Sequence, residues 1–180
     1  MFEWITDLIE RSGYVGIFLL TFLENLFPPI PSEVIMPLAG FKSAQGELAV
    51  GWVILSGTLG SLAGAAVWYE IGAPMGKAGL ERFSARHGRW LTMCPPDVRR
   101  AEAWFKRHGA VAVLLGRLVP AVRSVISLPA GINRMPLITF LVFSTLGTAA
   151  WTSLLVGAGY LLGAQYDRVA AYLNPASNLI

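Results

Sequence analysis

Two stretches of this chain carry no charged side chain: residues 48–69, 22 in a row, and residues 135–166, 32 in a row. About 20 apolar residues, rising ~1.5 Å each, span the ~30 Å hydrocarbon core of a bilayer. The first stretch fits one crossing. The second exceeds one, so it must tilt or extend past the interface. Charged residues make up 14% of the chain and mean hydropathy is +0.56, against roughly 25% charged residues in soluble domains. The expected fold class is therefore all-α and integral to a membrane.

Against this apolar background, four charges sit beside prolines. Glu24 and Glu33 flank Pro28-Pro29-Ile30-Pro31, and Arg117 and Arg123 flank Pro120. A charge at the bilayer centre costs at least ~2.5–3.5 kcal/mol, so each needs a partner, a wet cavity or a ligand. Proline inside a helix removes a backbone donor and breaks the helix. Broken backbone at membrane depth survives only where protein buries it or water lines it. Pro28, Pro29 and Pro31 mark one break, Pro120 and Pro129 the other. Residues 12–23 and 34–41 are short apolar runs on either side of the first break, and residues 109–115 and 125–131 flank the second. Two half-length helices around a proline break read as a re-entrant hairpin.

The halves repeat. A shift of 91 places Pro29 on Pro120, Val34-Ile35 on Val125-Ile126, Ala39-Gly40 on Ala130-Gly131, Tyr69 on Tyr160 and Gly72 on Gly163. Upstream the register slips by five, and Arg11, Gly13 and Val15 match Arg107, Gly109 and Val111. The chain reads as one membrane domain: a first repeat over about 11–73, a basic segment over 74–108, a second repeat over about 109–163 and a tail over 164–180. Each repeat holds one hairpin and one crossing, an odd number, so the second repeat enters from the opposite side. Inverted repeats interrupted at corresponding positions are the signature of secondary transporters.

The basic segment holds eight Lys/Arg against three acids, which predicts a cytoplasmic location. Helices are expected over 81–90 and 97–107, the second opened by Pro95-Pro96. At the N-terminus Phe2, Ile5 and Ile9 share a helical face opposite acids, giving either a surface helix or the start of the next segment. Glu3, Asp7 and Glu10 argue against a signal peptide there. Trp52, Trp68, Trp104 and Trp151 suit interfacial or packing positions, and Tyr166 and Tyr172 suit anchors in the tail.

A net charge of +3 and pI near 9.3 reflect basic loops rather than nucleic-acid binding. The single cysteine, Cys94, allows neither an internal disulfide nor a zinc cluster. The two histidines, His87 and His108, lie in the basic segment or at its edge. No Gly-x-Ser-x-Gly and no Gly-rich loop ending in Gly-Lys-Ser/Thr occurs. No enzymatic activity, cofactor, metal or nucleotide is expected.

Two guanidiniums six residues apart, on a loop bent at Pro120, suit a phosphate oxyanion; snorkelling, or pairing with Glu24 and Glu33, stands as the other reading of Arg117 and Arg123. A buried carboxylate is pulled between desolvation and a nearby arginine. That suits Glu24 and Glu33 to proton loading; a permanent ion pair is the plainer role. Glu70, near the end of the first span, joins this site or faces water. Gly60-x-x-x-Gly64 and Gly159-x-x-x-Gly163 are expected to pack the two spans together.

The run Glu24-Asn25-Leu26-Phe27-Pro28-Pro29-Ile30-Pro31-Ser32-Glu33 resembles the signature of the DedA family, related to the eukaryotic SNARE-associated Golgi (VTT-domain) proteins. Gly116-Arg117-x-x-Pro120-x-x-Arg123 with Pro129-Ala130-Gly131 looks like its second signature, and Gly147-x-x-x-Trp151 with Gly159-Tyr160-x-x-Gly163 like its third. The resemblance implies a bacterial inner-membrane protein with two facing re-entrant hairpins. It implies translocation of a lipid such as undecaprenyl phosphate or phosphatidylethanolamine, driven by the proton motive force. The family's essential acids and arginines fall on Glu24, Glu33, Arg117 and Arg123. One departure is Gly60-Ser61, where many members carry Gly-Asp; Glu70 follows nine residues later.

The leading expectation is thus a flippase or scramblase, with Arg117 and Arg123 holding a lipid phosphate and Glu24 and Glu33 exchanging protons. The alternatives are a proton-coupled ion or small-solute transporter and a structural membrane protein without transport. The partners expected are membrane lipids, phospholipid or polyprenyl phosphate, and protons; a homo-oligomer is left open.

Overall fold

The structure is a computed structural model that describes residues 2–27, 32–91, 95–119, 122–124 and 126–177, with side-chain surroundings for 9, 11–27, 33–74, 105, 107–119, 122–124 and 126–163. Six helices build it: α1 (Phe2–Leu26), α2 (Ser32–Ala44), α3 (Val50–Leu91), α4 (Pro95–Leu118), α5 (Ser127–Ile132) and α6 (Leu137–Ser177). No strand occurs among the described residues. Pro28, Pro29, Pro31, Cys94 and Pro120 lie outside the described residues, as do the side chains of His87, Trp104, Tyr166 and Tyr172.

The two uncharged runs become the two helices long and apolar enough to cross a membrane, over Val50–Pro74 and Leu137–Gly163. Only 39% and 28% of their most apolar windows are buried, whereas the core helix of a soluble protein would be mostly covered. Leu55, Leu59, Ile138, Leu146, Leu154, Leu161 and Leu162 stand exposed on them. Large exposed apolar surface of this kind marks contact with lipid or with another protein.

Both spans run on beyond their apolar cores. The sequence predicts a stop near residue 73 and a separate helix over 81–90, but α3 continues through Pro74 as one helix of 42 residues. Proline deprives the carbonyl four residues back of its helical partner. That carbonyl belongs to Glu70, which like Pro74 is exposed, so the lost bond falls on an open face. In contrast, α1 and α4 are broken by glycine. Gly13 (φ 54, ψ −128) interrupts α1 and Gly109 (φ 24, ψ −92) interrupts α4. These torsions are costly for any residue with a Cβ. The two positions are the ones matched in the five-residue slip of the repeat.

The chain divides into two compact units: residues 1–61 with 149–180, and residues 62–148. The first is built on Ile9, Ile17, Leu20, Ile35, Met36, Ala39, Val53, Leu155 and Val156. In it the α1 break delivers Tyr14, whose hydroxyl accepts the Ala49 N–H at 2.9 Å. One of the donors that a helix start leaves unmet is thereby satisfied, at the head of α3. The second unit is built on Ala65, Tyr69, Phe105, Ala112, Val113, Ile126, Ala130, Met135 and Phe140. Here the Tyr69 hydroxyl donates to the Met135 carbonyl, and its ring stacks on Phe140 at 4.8 Å.

One packing device recurs in both units. In the first, a methyl at Gly40 would overlap the Val156 carbonyl, and one at Gly159 the Pro37 carbonyl. In the second, a methyl at Gly131 would overlap the Tyr69 carbonyl, and one at Gly72 would lie 2.5 Å from the Leu128 carbonyl. Each clasp joins a glycine of a short helix, α2 or α5, to a residue of a long one, α6 or α3, and the long helix's glycine three residues on to a short-helix residue three residues back. The expectation that Gly60 and Gly159 pack span on span is corrected. Gly60 seats Phe18 and Thr21 of α1, and Gly159 and Gly163 seat α2. The spans meet instead through Thr58 Oγ1 and Thr152 Oγ1, 3.2 Å apart.

Alanine at Gly40 or Gly131 forces a methyl against backbone and is expected to cost about 1–3 kcal/mol. Alanine at Gly157, which faces open space on α6, is expected to gain up to ~1 kcal/mol in helix propensity. Thermal unfolding of the detergent-solubilised chain would show opposite shifts; shifts of the same sign would disprove the clasp.

Candidate functional site

After the Gly109 break, α4 resumes as a short apolar arm that ends on Arg117. Gly116 lets the Ile126 side chain close on this arm, since a methyl there would sit 2.9 Å from Ile126 Cγ1. On the other side α6 passes at Gly147, where a methyl would lie 2.7 Å from Arg117 Cβ and 2.8 Å from the Leu114 carbonyl. The arginine stem is therefore gripped between helices, and the residue is only 2% exposed.

Its guanidinium makes one hydrogen bond, from Nη2 to Ser127 Oγ at 2.8 Å. Nε and Nη1 are buried without a partner among the described residues. Arginine carries five N–H donors, so three of them, on Nε and Nη1, are unmet among the described residues. A buried donor without a partner costs about 1–3 kcal/mol, more when charged. An arrangement of this kind is suited to receive an oxyanion, which guanidinium binds bidentately.

Arg123 sits in the turn that follows, half-buried, with its N–H bonded to the Val119 carbonyl at 3.0 Å. Its side chain also has interaction partners. The turn leads into α5, which carries Ser127 and Pro129. Glu70 lies exposed on α3 in this same unit.

The acids belong to the first unit. Glu24 is 6% exposed near the end of α1 and is partnered. Its neighbour Asn25 donates from Nδ2 to Ser61 Oγ on α3 at 2.9 Å. Glu33 is exposed in the first turn of α2, where the helix dipole favours a carboxylate. It stands at the edge of an apolar cavity of about 320 Å³ lined by Val34, Pro37, Leu38, Phe41, Gly159 and Leu162. Thus the sequence-predicted acids Glu24 and Glu33 fall in one unit, and Arg117, Arg123 and Glu70 in the other.

Several polar residues escaped the sequence reading. Ser127 and Ser144 are fully buried in the second unit. Lys42 is buried in the first and pairs with Glu47 at 3.0 Å. The stripe Ser144, Thr148, Thr152, at four-residue spacing inside an uncharged run, was the available signal, because such spacing places hydroxyls on one helix face.

Residues 30–161 match the VTT domain family model. The chain is 39% identical over its full length to an "Alkaline phosphatase-like protein" of Lactococcus lactis, covering 85% of that protein. It is 36% identical over its full length to "Undecaprenyl phosphate transporter A" of Staphylococcus aureus, covering 89%. Over 83% of its length it is 29% identical to "Inner membrane protein YqjA" of Escherichia coli, covering 67%. No solved structure matches.

Because three Arg117 donors lack partners among the described residues, Arg117→Met is expected to leave stability unchanged or raise it by about 1–3 kcal/mol. Thermal unfolding in micelles checks this. A loss of several kcal/mol would make Arg117 a structural cation instead.

Proposed function

The chain belongs to the VTT-domain family, the DedA proteins, and from that premise we propose that it is a membrane transporter that moves a phosphate-bearing lipid between leaflets, with undecaprenyl phosphate the foremost cargo. The observation that carries this is Arg117: a guanidinium almost wholly out of water, fixed by one serine, with Nε and Nη1 unmet. In this reading Arg117 and Arg123 hold the phosphate while the prenyl tail stays among lipids. Glu24 and Glu33 neutralise the arginines when no lipid is present and take up protons as it leaves; Glu70 is the further acid that could join them. The cargo then moves down its own gradient or is coupled to the proton motive force.

Helix lengths support re-entrant hairpins. Residues 14–26 of α1 and the 13 residues of α2 each reach about 20 Å, short of the ~30 Å core. Residues 110–118 of α4 and the six of α5 are shorter still. The reading places each hairpin at mid-depth in a bacterial inner membrane, with the basic segment 74–108 on the cytoplasmic side.

Reconstitution into liposomes tests the proposal. The wild-type chain is expected to move labelled undecaprenyl phosphate between leaflets, and Arg117→Ala and Arg123→Ala to slow this at least tenfold while helicity persists. Unchanged movement in both variants would reject the phosphate role. Proton flux without lipid movement would favour a proton-coupled solute transporter. Release of inorganic phosphate would favour the hydrolytic activity that the Lactococcus relative's name suggests. Rescue of Glu33→Arg by Arg123→Glu would favour a purely structural pair.

A further inference from the structure

Several serines and threonines in this fold bond back to their own helix. Thr21 donates to the Ile17 carbonyl, Ser43 to Ala39 and Thr145 to Leu141, at 2.7–2.9 Å. This is the usual fate of a hydroxyl inside a helix. Ser144 departs from it. It is fully buried, yet its Oγ has no partner among the described residues. It sits three residues before Gly147, on the α6 face that presses on the Arg117 stem, and one turn of helix is about 5.4 Å. Phe140, one turn further back on that face, is in the core of the same unit. Ser144 thus lies buried one turn of α6 from the residue that packs on the Arg117 stem.

Resting on the phosphate-lipid reading above, we propose that Arg117, Ser127 and Ser144 form one site for a terminal phosphate, a monoester, and that Ser144 is its specificity-determining donor. Ser127 is the positioning residue: by accepting from Nη2 it turns Nε and Nη1 toward the ligand. The site then offers three N–H groups and two hydroxyls. A phosphate monoester presents three terminal oxygens to such a set, and a diester only two. No carboxylate pairs with Arg117 among the described residues, so a doubly charged monoester meets no competing anion on that side chain.

The test uses the full chain in maltoside micelles and calorimetric titration with dodecyl phosphate, dodecyl methyl phosphate and inorganic phosphate, each referenced to empty micelles. Wild type is expected to prefer the monoester to the diester by about tenfold or more, the scale of one hydrogen bond to a charged group. Ser144→Ala should erase that preference, leave diester binding unchanged and keep or raise the melting temperature. Ser144→Thr should restore the preference, and Thr145→Ala should change nothing. A full monoester preference in Ser144→Ala, with binding abolished by Arg117→Ala, would overturn the role of Ser144 and leave the transport reading standing. Failure of wild type to bind either alkyl phosphate would overturn both. Inorganic phosphate is expected to compete only at far higher concentration; equal potency would overturn a lipid as the source of the phosphate.

Discussion

A polar group that leaves water for lipid finds no replacement partner there, so a membrane chain must satisfy its donors and acceptors internally. Much of this fold can be understood from that requirement. The hydroxyls of Thr21, Ser43 and Thr145 turn back to their own helices. Tyr14 covers a donor at the head of α3, and Lys42 is neutralised by Glu47 five residues on. Against this tidy background the unmet nitrogens of Arg117 and the unmet hydroxyl of Ser144 stand out. They lie in the same unit, close to the same stretch of α6. Among the described residues Trp151 Nε1 is also buried without a hydrogen-bond partner, but Arg117 adds a charge, which suits recognition of an anion.

Parts of this architecture were legible in the sequence. The uncharged runs became the spanning parts of α3 and α6 because length and hydropathy alone decide whether a helix can lie in lipid. The repeat paired Gly13 with Gly109 without marking either as a helix break; both carry backbone torsions that tolerate little besides glycine. Membership of the family was legible in the acid-proline and arginine-proline runs. Other features were not. The course of α3 through Pro74 depends on whether the freed carbonyl is exposed, which no local pattern reports. The true neighbours of Gly60 and Gly159 depend on tertiary packing, and a small-residue motif says only that something approaches closely. Ser127 and Ser144 were invisible for a related reason: a serine in an apolar run matters only through what lies opposite.

The two units also solve the same packing problem twice. In each, a glycine of a short helix and a glycine of a long helix exchange close contacts with backbone carbonyls at identical spacing. Such contacts hold two helices at backbone distance and leave no room for side-chain adjustment. They are therefore suited to keeping Pro37 and Leu128 in fixed register with their spans. Short helices clasped in this way can hold charged residues such as Glu33 at defined positions without a large hydrophobic core around them.

The clasp on α2 has a bearing on biosynthesis. Its counterpart residues, Val156 and Gly159, lie more than a hundred positions downstream of Gly40. The ribosome thus delivers α2 long before the helix that secures it. Until α6 is made, that early helix must persist with its seat empty, so the order of synthesis imposes a waiting period before the clasp can close.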